Sequence, residues 1–238
     1  MDINHSIMLM GCHLLVVALL KPRGQVIGHV RTKKGLDSES IHISINGCNN
    51  ITMQNLILTA PSDSPNTDGI HTGNSNIVNV LHSKIGTGDD CISIGPGTNN
   101  MSMDHIVCGH GHGISIGSIG GTPREEGVEN IEVKNSVFRN TDNGVRIKAW
   151  ARPSNATVKN VNERILMLYI LQSSGVKISN VKISSVSGTS RNLQALVLDC
   201  SPTNTCQNIK LQNINLVYSD KMKKTQRATS LFKHAYVN

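Results

Sequence analysis

The stretch Asn50-Ile51-Thr52-Met53-Gln54-Asn55-Leu56-Ile57-Leu58 decides the fold. Aliphatic and polar residues alternate, so successive side chains point to opposite faces of a strand with one buried face. The Asn residues that flank the strand tolerate left-handed backbone and suit turns. The pattern recurs at Asn76-Ile77-Val78-Asn79-Val80, Asn100-Met101-Ser102-Met103, Asn130-Ile131-Glu132-Val133, Gly175-Val176-Lys177-Ile178 and Asn208-Ile209-Lys210-Leu211. Its first aliphatics, Ile51, Ile77, Met101, Ile131, Val176 and Ile209, are 26, 24, 30, 45 and 33 residues apart. A period of this size signals a solenoid, and short alternating strands make it an all-β solenoid. The expected fold is a right-handed parallel β-helix, each coil adding one strand to each long sheet, about 4.8 Å from the last. A β-sandwich is the rival architecture. The interval of 45 holds a partial match, Ala156-Thr157-Val158-Lys159-Asn160-Val161, but Val158 to Val176 is 18 residues, too short for an ordinary coil. The helix is therefore expected to be shortened near 162–171, by a reduced coil or a small helix.

Composition agrees. Aromatics are 3%, charged residues 16% and apolar residues 38% of 238, with 21 Gly, which excludes a coiled coil and a disordered chain. No apolar run reaches the roughly 18 residues of a membrane span. The net charge of +7 is dispersed apart from Arg31-Thr32-Lys33-Lys34 and the run Lys221 to Arg227, so it reads as solvated loop and tail, with an acidic polymer as the open alternative to nucleic acid. Of six cysteines, Cys91 and Cys108 are 17 apart and Cys200 and Cys206 six apart, spacings that suit small-loop disulfides in an oxidising compartment. Cys12 and Cys48 read as buried thiols. There is no CxxC for structural zinc. Sequons at Asn4, Asn50, Asn100 and Asn155 fit a secretory route. Residues 1–36 form an atypical segment, either a signal peptide around the apolar run 7–20 or a cap; 37–220 form the β-helix domain and 221–238 a basic tail.

Four polar clusters interrupt the aliphatic pattern, and their spacing matters most. Asp68 to Asp90 is 22 residues, Asp90 to His112 another 22, and His112 to Arg146 is 34. At coil spacing these residues stack on one side of the helix, giving a polar strip about 14 Å long over three rises. Three neighbouring carboxylates repel, so at least one is held protonated to higher pH and can serve as acid while another stays ionised as base. That division is the chemistry of glycoside hydrolysis. Asp89 and Asp90 are adjacent and reach one site only if the strand bends, which Gly88 allows. Arg146 and Lys148 are two apart and share a face, suited to a substrate carboxylate. A metal site is the rival reading for His110 and His112, and Asn66 and Asp68 can cap a turn.

The strings SPNTDGIH at 64–71, GTGDDCISIGPG at 86–97, GHGISIGS at 111–118 and NGVRIKAW at 143–150 resemble the polygalacturonases of glycoside hydrolase family 28, the plant enzymes above all. The resemblance runs from about residue 37 to about residue 220. It implies hydrolysis of α-1,4-galacturonan in pectin with inversion and without a metal or other cofactor. By match, Asp89 is the general acid, Asp68 and Asp90 hold and deprotonate the water, and His112 tunes the acid. Arg146 and Lys148 bind galacturonate carboxylates, with Asn66 also substrate-binding. Cys91 and Cys108 match a family disulfide. A secreted monomer acting on cell-wall pectin, with no nucleic-acid or membrane partner, follows. The coils that the family has before residue 37 are missing, and Tyr169 and Tyr218 are the candidates for its cleft tyrosine. A truncated scaffold leaves two other readings: a non-catalytic or defective galacturonan-binding helix and, further off, a pectate lyase.

Overall fold

The computed structural model describes residues 4–9, 12–17, 29–31, 34–36, 40–163, 167–169, 174–219 and 225–238. Much of the 162–171 stretch, residues 221–224 of the basic run, Thr32 and Lys33, and the side chains of Cys12 and Tyr169 lie outside the described residues. Every regular element among the described residues is a strand. The strands form three sheets whose members succeed one another coil by coil, a right-handed parallel β-helix.

One coil shows the plan. Asn49–Gln54 lies in the back sheet, Ile57–Thr59 in the short sheet and Ile70–Gly73 in the front sheet. The next coil repeats this with Asn76–Leu81, Lys84–Gly86 and Asp90–Ile94, and the one after with Asn99–Asp104, Val107–Cys108 and Gly113–Ile119. All pair in parallel with the strands before them. The register stacks like on like: Ile70, Ile92, Ile114 and Val145 form one inward column, Thr72, Ile94, Ile116 and Ile147 another, and all eight are buried. Each fully buried aliphatic side chain contributes about 1.5–3 kcal/mol, so the columns are the core.

The back sheet corrects the repeat in two places. Its column runs Ile51, Val78, Met101, Ile131, Val161, Val181, Ile209. Ile77 is thus one residue out of phase; it is 42% exposed and takes the left-handed turn position at φ 56°. Val176 also lies ahead of the phase, and the true unit is Asn180-Val181-Lys182-Ile183. The missing unit in the long interval is Asn160-Val161, whose strand Thr157–Glu163 pairs with Lys177–Ser190. The coil between Asn160 and Asn180 has 20 residues, the shortest step along the back sheet, and is the reduced coil expected there. Among the described residues the short sheet ends at Val137–Phe138, before this coil.

An asparagine ladder edges the back sheet. Nδ2 of Asn76, Asn100, Asn130, Asn160, Asn180 and Asn208 donates to Oδ1 of Asn49, Asn76, Asn100, Asn130, Asn160 and Asn180 in turn, at 2.7–3.3 Å.

At the first end, Asn4–Leu9 and Cys12–Val17 form an antiparallel hairpin that pairs along Ile43–Asn46, the edge of the front sheet. His29–Arg31 and Lys34–Leu36 already pair in parallel with the first complete coil. At the other end, Thr229–Lys233 extends the front sheet and Ala235–Val237 pairs with the last long back strand, so the residues read as a tail carry strands. The hairpin occupies a sheet edge that would otherwise be open to further pairing.

Candidate active site

The front sheet aims the chemistry outward. Its register sets Ser44, His71, Ser93, Ser115 and Arg146 abreast on the face opposite the isoleucine columns. The carboxylates sit at the start of these strands. Asp68 precedes Ile70–Gly73, Asp89 immediately precedes Asp90–Ile94, and Asp90 is that strand's first residue.

Two adjacent aspartates converge because of a bulge. Asp90 pairs with Gly113 and Ile92 with Ile114, so Cys91 is an extra residue in its strand. A bulge of this kind re-aims a side chain. Here it restores Asp90 to the outward face while Cys91 turns inward, fully buried, and bonds to Cys108 of the next coil. The bend therefore comes from Cys91 rather than from Gly88. Gly88 serves a close approach: a Cβ there would lie 2.0 Å from the Ser64 carbonyl oxygen, so only glycine lets the Ser64–Asp68 loop dock beside the aspartates.

Three environments distinguish the three carboxylates. Asp90 is 2% exposed and fully occupied. Its Oδ1 accepts from the Ser115 hydroxyl at 2.6 Å and from Arg146 Nη2 at 2.9 Å, and its Oδ2 accepts from Lys148 Nζ at 2.8 Å. Arg146 Nε also donates to Ser115 Oγ at 2.8 Å, bracing that hydroxyl. Asp89 is 22% exposed; its Oδ1 accepts from the Asp90 backbone N–H at 2.8 Å and meets His112 Nδ1 at 2.9 Å. His112 Nε2 faces Asp142 Oδ2 at 3.6 Å. Asp68 Oδ2 accepts from the Ser93 hydroxyl at 2.5 Å. Burial raises the Asp68 carboxyl from 3.8 to about 6, helped by the negative charges of Asp90 and Asp89 and opposed by the Ser93 hydrogen bond and Lys148.

The structure thus gathers Asp68, Asp89, Asp90, His112, Arg146 and Lys148 on one face. Asn66 is exposed at the left-handed turn ahead of Asp68, φ 53°. His110 is elsewhere occupied: its Nε2 bonds the Ala60 carbonyl at 2.8 Å, where it ties two coils together. Donor atoms of Asp89, Asp90 and His112 lie within 4.8 Å of one another. A cation there would compete with Arg146 and Lys148, which already neutralise Asp90. Tyr218 is half-buried at the far end of the back sheet.

Sequence reasoning missed Ser93, Ser115 and His71. The signal was present as CISI and GISI, where a serine alternates with isoleucines inside the strings GTGDDCISIGPG and GHGISIGS, and His71 closes SPNTDGIH. Cys48 is corrected too: it is disulfide-bonded, not a thiol. Cys200 and Cys206 are joined within the last coils.

Comparison with known proteins adds a second line. A family model described as glycosyl hydrolases family 28 matches residues 28–170 and 167–235. A polygalacturonase of Prunus persica is 43% identical over 219 residues, covering 84% of this chain and 54% of the relative. An exopolygalacturonase of Arabidopsis thaliana is 42% identical over 204 residues, covering 78% of this chain and 46% of the relative. The chain spans about half the length of the curated relatives it matches. Among solved structures, an endo-xylogalacturonan hydrolase of Aspergillus tubingensis aligns with TM-score 0.72 at 23% identity, covering 88% of this chain and 60% of the other. A polygalacturonase of Erwinia carotovora aligns with TM-score 0.62 at 24% identity, over 88% and 57%. These two share the fold.

Proposed function

The chain belongs to family 28 of the glycosyl hydrolases, and from that premise we propose that it hydrolyses α-1,4-galacturonosyl linkages of polygalacturonan with inversion. The observation that carries the reading is the unequal treatment of three carboxylates on one outward face. Asp90 is paired with the cations of Arg146 and Lys148, burial raises the Asp68 carboxyl to about 6, and Asp89 is less buried than Asp90 and meets His112.

The roles are those that the match to the family assigns to these residues. Asp89 protonates the glycosidic oxygen as the carbon–oxygen bond breaks. A water attacks the anomeric carbon from the opposite side and passes its proton to Asp68. Asp90, with both oxygens already engaged, orients the water and fixes Arg146 and Lys148 rather than taking the proton. Arg146 and Lys148 each keep further N–H donors beyond those given to Asp90, and these hold the galacturonate carboxylate. Asn66, exposed at the turn ahead of Asp68, is a further substrate contact. The acceptance of polygalacturonan is supported by the family and by the names of the plant relatives. The disulfides support an oxidising compartment, and with the sequons they support a secreted protein acting on cell-wall pectin.

Digestion of polygalacturonate by the purified chain, with product sizing, tests this. Reducing ends without ultraviolet absorbance are expected. Unsaturated ends would mean a lyase, and binding without cleavage would mean a non-catalytic helix.

A further inference from the structure

Ser93 stands between Asp68 and His71. Its hydroxyl lies 2.5 Å from Asp68 Oδ2 and 2.7 Å from His71 Nδ1, and Ser93 itself is 3% exposed. The register makes the arrangement structural rather than incidental, since His71 and Ser93 are direct partners on adjacent front strands. Asp68 precedes His71 by only three residues and enters the site from the turn.

A serine hydroxyl has one proton and rotates freely. Left alone, it can donate to either neighbour. If His71 carries its proton on Nδ1, it donates to Ser93 Oγ, and the serine proton has one acceptor left, Asp68 Oδ2. Burial lowers the His71 pKa, so the ring stays neutral and keeps a single N–H. The charged groups facing these residues are Asp89, Asp90 and Lys148 at Asp68, and Asp90 and Lys148 at His71.

We propose that His71 and Ser93 are positioning residues for the base: His71, as its Nδ1–H tautomer, aims the Ser93 hydroxyl at Asp68 Oδ2, fixing the orientation of that carboxylate and the pH at which it ionises. This rests on Asp68 being the base. The Ser93 hydrogen bond favours the ionised carboxylate and opposes its burial. Losing it moves ionisation of Asp68 further upward.

The test is the pH profile of kcat/KM on polygalacturonate for the intact chain and five variants. Ser93→Ala and His71→Leu are expected to move the acidic limb upward by about one to two pH units. They should also lower kcat about ten- to a hundredfold, with KM nearly unchanged. Ser93→Thr, which keeps the hydroxyl, and His71→Asn, whose amide nitrogen overlays Nδ1, are expected to return the limb toward its original pH. A limb that stays in place in both loss variants overturns the inference. Asp68→Asn separates the two levels: an inactive Asp68→Asn beside unmoved limbs sinks the positioning role alone, while an active one sinks the base assignment and this inference together. A second readout does not depend on turnover. The ¹⁵N spectrum of His71 in the intact chain should show a protonated Nδ1 and a bare Nε2; the opposite tautomer overturns the proposal.

Discussion

Two rows of polar side chains climb this helix coil by coil, and they are built on opposite principles. The asparagine ladder repeats one residue at steps of 27, 24, 30, 30, 20 and 28, and each amide satisfies the next. The front row carries His71, Ser93, Ser115 and Arg146 at the same rise, with no two neighbours related by repetition except the serines. The ladder tolerates coils of any length because only the end of each turn must coincide. The front row demands particular chemistry at each level, and the bulge at Cys91 adjusts a single level without disturbing the others. A solenoid thus separates the residues that specify stacking from those that specify a site, and substitutions in the two rows should fail differently.

The largest effect belongs to the front row. Asp89→Asn is expected to lower turnover on polygalacturonate about 10²–10⁴-fold while leaving binding and the melting temperature close to those of the parent chain. Near-normal turnover would remove Asp89 from the acid's role.

Lys148→Ala and Arg146→Ala come next, and they blur the comparison because one side chain serves both fold and function. Each is expected to weaken binding of galacturonan far more than of its fully methyl-esterified form. Each also leaves buried Asp90 one cation short, which should cost about 1–3 kcal/mol in urea unfolding. Equal binding losses on both substrates would assign the pair to Asp90 alone.

Glu163 tests the interior between the two rows. It stands in the column Val80, Met103, Val133, Glu163, Ile183, fully buried, with neither carboxyl oxygen hydrogen-bonded. Burial raises its pKa well above the ordinary 4.5. The unfolded chain releases this proton near 4.5 whereas the folded chain keeps it to higher pH. The stability it allows is therefore full at low pH and is lost as pH rises through the folded pKa. Melting temperature should fall as pH rises above 4.5, and Glu163→Leu should flatten that part of the decline and gain about 1–3 kcal/mol at neutral pH. A decline of unchanged slope in Glu163→Leu would place its cause elsewhere.

The ladder itself should yield the smallest changes. Asn130→Ala is expected to cost about 1 kcal/mol with no change in kcat. Ile77→Asn should stabilise by about 1 kcal/mol, because a β-branched residue now holds the left-handed turn that asparagine holds in other coils. A loss of turnover in either variant would mean that the rows are not separable.

The same separation explains what could be read in advance. Alternation plus asparagine was sufficient for the parallel β-helix, since period and turn chemistry agree in most coils. The phase slipped at Ile77 because an isoleucine stands at the left-handed position that asparagine holds in other coils, and the unit at Asn160-Val161 registered only as a partial match. The six residues gathered at the front were legible from coil spacing and from resemblance. The bulge was not, because an extra residue in Asp-Asp-Cys leaves no mark in composition. His71 and Ser93 were invisible for a related reason: what makes them a pair is register across 22 residues, and each alone is an ordinary strand residue.

The asparagine ladder has a direction. In every rung the later coil gives its N–H to the carbonyl oxygen of the earlier one. Seven amide dipoles, joined by six hydrogen bonds, thus point the same way, their positive ends toward the first coil and their negative ends toward the last. Among described residues that include no α-helix, this is a helix-like macrodipole assembled from side chains. Hydrogen bonds in such a run polarise one another, so its rungs are not equivalent. Cutting it at Asn130 leaves two short dipoles, whereas cutting it at Asn208 merely trims one, and the chain carries along its back a one-way polar axis that no single coil possesses.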